Sequence, residues 1–208
     1  MQHPVAVKLV GITKYFGQRR LFENINASVR PGQCLVITGP NGSGKSTLLK
    51  VLAGLIRPDA GAVRLVTLNR EIGREDWIGT IGLISPETVF YHSLTGIENI
   101  AFLTGIAGLA VPPKDSMECL RTVGLAGREY DRVETYSTGM RQRLKFALLL
   151  AIRPSVWLLD EPSSNLDATG RRLIANLISK ALASQVSIIM ATNEREEADY
   201  AASKIALA

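Results

Sequence analysis

The sequence predicts an α/β fold in which a parallel β-sheet carries helices, a β-rich segment comes first and a helical segment is inserted midway. Three observations support this prediction. A buried strand, a glycine-rich loop and a helix follow one another between Cys34 and Ala53. A second buried strand ends in the acids Asp160 and Glu161. Strands then alternate with helices up to Leu207, as they do when parallel strands need helical crossovers.

The first part of the chain is predicted to be mostly β-structure. The segments in which β-branched residues alternate or cluster are 5–10, 25–29 and 62–68. A turn at Pro31-Gly32 precedes residues 34–38, Cys-Leu-Val-Ile-Thr, which predict a short buried strand. Residues 46–53 predict a helix that ends at Gly54. We therefore expect a strand, a loop and a helix in direct succession.

A helical segment is predicted next. Thr95 and Glu98 match a capping box, which indicates a helix that begins there and ends near residue 103. Pro113 opens a second helix that ends near 123, and a third covers 139–152 before Pro154. The remaining strands are expected at 80–84, 156–159, 187–191 and 204–207, and the remaining helices near 168–182 and 194–201.

Residues 39–46 contain the most specific motif, because Gly39, Gly44, Lys45 and Ser46 fit the phosphate-binding pattern G-x-x-x-x-G-K-[ST]. Glycines let backbone N–H groups approach a triphosphate, the Lys45 ammonium suits its β- and γ-phosphates, and the Ser46 hydroxyl is an expected Mg²⁺ ligand. A chance glycine-rich turn is the alternative, but the flanking strand and helix argue against it. The candidate nucleotide-binding residues here are Gly39, Pro40, Asn41, Gly42, Ser43, Gly44, Lys45, Ser46 and Thr47.

The acidic pair Asp160-Glu161 follows four apolar residues that predict a buried strand. Such a strand places charge at the carboxyl edge of a parallel sheet, where open α/β folds bind their ligands. We expect Asp160 to hold Mg²⁺, directly or through water, and Glu161 to orient or deprotonate an attacking water. The alternative interpretation is a surface turn. The phosphate loop upstream argues against it.

Length and composition restrict the class of protein. A chain of 208 residues and 22.6 kDa suits one domain, residues 1–208, and its 46% hydrophobic content excludes disordered and collagen-like classes. Cys34 and Cys119 are expected to be buried apolar residues of a reducing compartment. The N-terminus has no apolar signal core, and the longest uncharged stretch, 99–113, is shorter than the about 20 residues that span a bilayer. We therefore expect a cytoplasmic chain.

The chain is basic, with a formal net charge of +5 and an isoelectric point near 9.4. Its basic residues come in short groups such as Arg19-Arg20 and Arg171-Arg172, without the interleaved aromatic residues of nucleic-acid platforms. A solvated basic face is favoured over a nucleic-acid or membrane-surface site, so no nucleic-acid partner is expected.

Residues 136–144 read Tyr-Ser-Thr-Gly-Met-Arg-Gln-Arg-Leu and open a predicted helix, where Ser137 alone would indicate only a helix N-cap. Between the phosphate loop and the acidic strand, this segment resembles the signature of the ATP-binding-cassette (ABC) family. That signature is usually Leu-Ser-Gly-Gly-Gln, and Ser137 and Gly139 keep its positions. The chain is similar to this family over essentially its whole length.

The resemblance implies a P-loop NTPase fold with a RecA-like parallel core, an N-terminal antiparallel β subdomain and an inserted helical subdomain at about 86–150. Phe16 matches the aromatic residue that stacks on adenine; Tyr15 is the second choice, and a core aromatic is the alternative. The resemblance also implies a head-to-tail dimer, formed with itself or a related cassette. Ser137 and Gly139 of one subunit would then cover the nucleotide on the other, and Asp167 would reach across the dimer.

Two positions depart from the family pattern. A glutamine that ligates Mg²⁺ is expected after the strand at 80–84, but this chain has Ser85-Pro86-Glu87, so Glu87 is the remaining candidate ligand. A histidine is expected after the strand at 187–191, but Asn193 takes its place, and asparagine donates a hydrogen bond without carrying positive charge. The sequence therefore predicts binding of ATP with Mg²⁺, and slow hydrolysis.

The resemblance implies the ATPase subunit of a membrane transporter, peripheral on the inner face of the cell membrane, whose spanning subunits are separate polypeptides. We expect partner contact at 86–94, where Val89, Phe90 and Tyr91 predict an exposed apolar cluster; anchoring of the loop is the alternative. The chain resembles short export-type cassettes, both the haem-exporter ATPases of cytochrome c maturation and general drug, lipid or polysaccharide exporters. The alternative functions are a soluble ATPase acting on nucleic acid, ribosomes or assembly factors, and a nucleotide-controlled clamp.

Overall fold

Two β-sheets organise the chain in this computed structural model, which describes residues 3–68 and 70–208. The first sheet is antiparallel, with the order β2-β1-β4-β5. Its strands are β1 (Ala6–Phe16), β2 (Arg19–Val29), β4 (Ala60–Val66) and β5 (Glu71–Ile72). A turn at Gly17, whose φ is +57°, joins β1 to β2.

The β1–β2 hairpin is longer than the sequence predicted. Both strands continue to the turn, so that Phe16 pairs with Arg19 at the end of the ladder. This part of the hairpin lacks the pattern of β-branched residues used to predict strands. It contains charged residues such as Arg20 and Glu23, which are exposed and form an ion pair. The extension carries Phe16 to the tip of the hairpin.

The second sheet is parallel and has the order β6-β7-β8-β3-β9. Its strands are β3 (Cys34–Thr38), β6 (Ile81–Ile84), β7 (Val156–Asp160), β8 (Ser187–Ala191) and β9 (Ser203–Ala206). All residues of β7 and β8 are buried, as expected when helices or another sheet cover both faces of a parallel sheet. The carboxyl ends of β3, β7 and β8 therefore meet at one edge.

Six α-helices were found in the described part of the chain. They are α1 (Lys45–Leu52), α2 (Gly96–Ile106), α3 (Pro113–Thr122), α4 (Thr138–Ile152), α5 (Ala168–Ala183) and α6 (Arg195–Ala198). The predicted helix at 194–201 is limited to one turn, because Ala202 already donates its N–H to the Cys34 carbonyl as the chain enters β9. Within residues 3–68 and 70–208, none of the helices has the length and apolar character needed to cross a bilayer.

Alternate residues of β7 enter apolar clusters on opposite faces of the parallel sheet. Trp157 and Leu159 pack into a cluster that includes residues of α2, α3, α4 and α5. Val156 and Leu158 pack into a cluster shared with α1 and the antiparallel sheet. This arrangement confirms the predicted α/β fold with an antiparallel sheet beside a parallel core.

Candidate nucleotide-binding site

The phosphate loop connects β3 to α1, as the sequence predicted. The buried ammonium of Lys45 donates to the carbonyl oxygens of Gly39 at 2.7 Å and Pro40 at 3.1 Å, and so lies within the loop. Gly39 adopts φ +151°, and a Cβ there would lie 2.5 Å from the carbonyl oxygen of Leu207. Gly44 precedes α1 with φ +100°. Only glycine fits both positions without strain, and the first N–H groups of α1 lack intrahelical acceptors and suit a phosphate.

Ser46 and Asp160 form the part of the site that suits Mg²⁺. The buried Asp160 carboxylate lies at the end of β7, and the Ser46 side chain of α1 is close enough to lower its pKa through hydrogen bonding. Burial raises the pKa of Asp160, while the Ser46 hydrogen bond and the Lys45 and Lys50 ammoniums oppose this increase. A hydroxyl and a carboxylate are hard oxygen ligands of the kind that Mg²⁺ prefers beside phosphates, so these residues fit the ion.

Glu161 follows Asp160 in a left-handed backbone conformation, with φ +48°. Its N–H donates to the carbonyl oxygen of Ala191 at the end of β8, and its own carbonyl oxygen accepts from the N–H of Ser164. A non-glycine residue in this conformation costs about 1–3 kcal/mol and persists where the surroundings enforce it, often at functional sites. The side chain of Glu161 is exposed and lines the cavity described next.

A cavity of about 360 Å³ brings several candidate residues together. Its lining residues are Phe16, Leu21, Asn41, Gly42, Gly44, Lys45, Ser46, Thr47 and Glu161. The Phe16 side chain is 56% exposed, so Phe16 is not the core aromatic that the sequence left open. Tyr15, the second choice for the adenine contact, instead directs its hydroxyl to Glu23 and is outside this lining.

Ser137, Gly139 and Asp167 lie away from this cavity's lining. Ser137 caps α4 by accepting the N–H of Met140 at 3.2 Å, and Asp167 caps α5 by accepting the N–H of Gly170 at 2.7 Å. Gly139 lies close to the carbonyl oxygen of Asn165, in the loop before Asp167. Within one chain, Ser137 therefore acts as the helix N-cap that the sequence left as the alternative. Contact of Ser137, Gly139 or Asp167 with a nucleotide would require a second chain and stays a prediction.

Glu87 and Asn193 are placed at the edges of the site. Both carboxylate oxygens of Glu87 accept from the Lys50 ammonium, at 2.7 and 2.8 Å, one helical turn beyond Ser46 on α1. The structure therefore joins Glu87 to Lys50 rather than to Ser46 or Asp160, and the predicted Mg²⁺ role would require this ion pair to open. Asn193 is exposed and follows β8, whose last residue, Ala191, pairs with Asp160.

Two buried polar residues of α4 were not predicted to have a role. Gln142 Nε2 donates to the carbonyl oxygen of Pro162 at 2.8 Å, and Lys145 Nζ donates to that of Ser85 at 2.7 Å. Burial lowers the pKa of Lys145. Their only signal in the sequence is that polar residues occupy the otherwise apolar face of a helix. Through them, α4 contacts the loops that follow β7 and β6.

The segment at 86–94 has a smaller exposed apolar surface than predicted. Phe90 is only 4% exposed and belongs to the core cluster of the helices, so its predicted exposure was wrong. Val89 is 72% exposed, and the half-exposed Tyr91 ring contacts Phe102 of α2 with 4.9 Å between ring centroids. Ile106 of α2 is also exposed. We call Val89, Tyr91, Phe102 and Ile106 the apolar surface.

The chain is similar to known proteins in both sequence and fold. A sequence model of the ABC transporter family matches residues 22–164. The cytochrome c biogenesis ATP-binding export protein CcmA of Nitrosomonas europaea is 35% identical over 184 residues, covering 86% of this chain and 84% of that protein. The lantibiotic transport ATP-binding protein SrtF of Streptococcus pyogenes is 30% identical over 196 residues, covering 94% and 83%.

A solved structure is similar over almost the whole chain. It is the dimeric bacterial ABC transporter cassette MJ0796, with a TM-score of 0.83, 25% identity, and coverage of 97% of this chain and 94% of that chain. A post-hydrolysis structure of the same cassette, bound to ADP and Pi, has the same similarity.

Proposed function

Because this chain belongs to the ABC transporter family and is an ABC-type ATPase, we propose that it is the ATP-hydrolysing subunit of a membrane exporter. One observation carries the proposal: a single cavity joins the exposed Phe16 ring, the phosphate loop and Glu161. One relative is named as an export protein of cytochrome c biogenesis, which supports export, and another as a lantibiotic transport protein, which is a different transport process. We therefore assign choice of cargo to separate membrane-spanning subunits.

The groups of the site have separate roles in this proposal. The Phe16 ring stacks on adenine, while the loop N–H groups and the Lys45 ammonium hold the phosphates. Ser46 and Asp160 hold Mg²⁺, which neutralises phosphate charge when bound. Glu161 orients the attacking water and accepts its proton, a contribution typically worth about 10²- to 10⁴-fold in rate.

We infer that the working unit is a head-to-tail dimer of this domain. Ser137 and Gly139 lie outside the cavity lining of their own chain, at the N-terminus of the 15-residue helix α4. A helix N-terminus attracts phosphate, so in a dimer α4 can face the nucleotide on the other subunit. Asp167 begins the neighbouring helix α5 and would lie at the same interface.

The apolar surface is the proposed contact with the membrane subunits. It lies beside Glu87, which the ion pair with Lys50 joins to α1, the helix that begins at the phosphate loop. A partner bound there would contact the segment at 86–94, which the ion pair between Glu87 and Lys50 connects to α1. This contact would place the chain at the inner face of the cell membrane, on the cytoplasmic side.

A nucleotide-controlled clamp is the second candidate function, because two positions weaken catalysis. Asn193 cannot supply positive charge. The glutamine position is filled best by Pro86, which has no ligating oxygen, and the neighbouring Glu87 carboxylate is held by Lys50. Such a clamp would bind ATP and dimerise but turn over slowly. Intact Lys45, Asp160 and Glu161 favour the ATPase.

Steady-state ATP hydrolysis by the purified chain tests the proposal, with Glu161→Gln as the inactive variant and light scattering to follow the dimer. We expect turnover that disappears in Glu161→Gln, and a dimer that forms with ATP. ATP binding and dimerisation without turnover would favour the clamp. Hydrolysis that persists in Glu161→Gln would contradict the role of Glu161.

A further inference from the structure

Glu197 of α6 is a buried carboxylate outside the machinery described so far. It is only 7% exposed, and its Oε2 atom is buried without a hydrogen-bond partner among the described residues. No ion pair of Glu197 occurs within 3–68 and 70–208. Burying a carboxylate without a counter-charge lowers stability, and a neutral side chain would serve stability alone better. This cost points to a function.

The other carboxylate oxygen of Glu197 binds one residue twice. Glu197 Oε1 accepts the backbone N–H of Ser163 at 3.1 Å and also the Ser163 hydroxyl at close range. Ser163 lies two residues after Glu161, and Glu197 lies four residues after Asn193. The contact therefore joins the segment after β8 to the loop after β7.

The direction of the Glu161 side chain depends on the backbone of the loop after β7. This side chain is exposed and the φ of Glu161 is +48°, so the backbone of residues 161–164 must set its direction. Gln142 holds the Pro162 carbonyl from α4, on the helical side of the sheet. Glu197 holds the next residue, Ser163, from α6. Two neighbouring residues of the loop are thus fixed by two different helices.

We propose that Glu197 is a positioning residue for ATP hydrolysis, which holds Ser163 so that Glu161 is directed at the nucleotide cavity. This inference rests on the proposed role of Glu161. A displacement of a reacting group by about 1 Å can cost about 10²-fold in rate, so losing the contact should lower kcat strongly. ATP binding should change little, because Glu197 is outside the lining of the cavity.

Three substitutions separate positioning from a general effect on folding. Glu197→Ala removes both hydrogen bonds, whereas Glu197→Gln keeps an oxygen that can accept both. Glu196→Ala is the matched control, since Glu196 is the exposed neighbour on the same helix. We expect kcat to fall by about 10- to 100-fold in Glu197→Ala with KM unchanged, to recover largely in Glu197→Gln, and to stay at the parent value in Glu196→Ala.

Amide hydrogen exchange at Ser163 provides a readout that does not depend on turnover. Exchange should accelerate in Glu197→Ala but not in Glu196→Ala, because the Ser163 N–H loses its acceptor. Unchanged exchange, or a kcat in Glu197→Ala equal to the parent value, would overturn the inference. Hydrolysis that persists in Glu161→Gln would instead overturn the proposed role of Glu161, so the two failures are distinguishable.

Discussion

The ammonium of Lys145 donates to the carbonyl oxygen of Ser85 at 2.7 Å, joining α4 to the end of β6 across 60 residues of sequence. Lys145 is only 8% exposed. One turn earlier on the same helix, Gln142 holds the Pro162 carbonyl. α4 therefore fixes the loops that follow two adjacent strands, and one of these attachments carries a buried charge.

The first prediction concerns the pH dependence of stability. Burial lowers the pKa of Lys145 below its ordinary 10.5, so between the lowered value and about 10.5 the unfolded chain binds more protons than the folded chain. The Lys145 contribution to the free energy of unfolding should therefore rise with pH across that window. We expect the Tm difference between the parent and Lys145→Met to shift in favour of the parent as pH approaches 10.5. Thermal unfolding at several pH values measures it.

Lys180→Met is the matched control for that experiment. Lys180 is exposed on α5, so its replacement should leave the pH dependence of Tm close to that of the parent. A constant Tm difference between the parent and Lys145→Met across the window would contradict the prediction, because it would mean that folding does not lower the pKa of Lys145.

Asn99 gives a second prediction, about the loop at 91–95. Its buried amide accepts the Tyr91 N–H and donates to the carbonyls of Tyr91, Leu94 and Thr95. Asn99→Leu would leave the Tyr91 N–H without its acceptor, while the three carbonyls would keep their backbone N–H donors. We expect the free energy of unfolding to fall by about 1–3 kcal/mol. Urea unfolding measures the change. Asn176→Leu, at an exposed helical position, is the control and should cost much less.

Phe16 gives a third prediction, about nucleotide affinity. Stacking of a base on an aromatic ring is worth about 1–3 kcal/mol, so Phe16→Ala should bind ATP at least about fivefold more weakly. Phe16→Trp should retain the affinity, because it keeps an aromatic face at the hairpin tip. Titration calorimetry with ATP measures both. If Tyr15→Ala weakens binding while Phe16→Ala does not, the neighbouring tyrosine is the adenine contact.

A fourth prediction concerns the position after β8. A protonated histidine donates a stronger hydrogen bond to a phosphate oxygen than asparagine, by about 1–1.5 kcal/mol, so Asn193→His should raise kcat by about tenfold. Steady-state hydrolysis measures the change, with Asn193→Ala for comparison. Equal turnover in all three proteins, together with inactive Glu161→Gln, would mean that this position does not contribute to the reaction.

The fifth prediction concerns the apolar surface. Val89→Ser and Tyr91→Ser should reduce co-purification with the membrane subunits while ATP affinity stays at the parent value, because both side chains are exposed. Phe90→Ser should instead lower the yield of folded protein, since Phe90 is buried in the core. Undiminished co-purification in the Val89 and Tyr91 variants would mean that the partner binds elsewhere.

Features that depend on neighbouring residues could be predicted from the sequence. Local patterns predicted three features that the structure contains: the capping box of Thr95 and Glu98, the phosphate loop before α1, and the acids at the end of β7. Cys34 lies buried in a strand as expected, and burial raises its pKa to about 12.

Features that depend on distant partners could not be predicted. Glu197 and Ser163, or Lys145 and Ser85, are far apart in the sequence, and no local pattern relates them. Phe90 illustrates the same limit, because a residue between two exposed neighbours is buried only through contacts made by the helices after it. The two-residue strand β5 is too short to give a recognisable period.

The hairpin tip and the phosphate loop stand on a continuous apolar cluster shared by the antiparallel sheet, α1 and the parallel sheet. The spacing between the hairpin backbone and the phosphate loop is therefore set when the protein folds, and the conformational entropy of arranging these two segments is lost at that stage. A nucleotide then meets a preorganised site. The free energy gained from its adenine and phosphate contacts remains available for steps that follow binding, such as the closure of one subunit upon another.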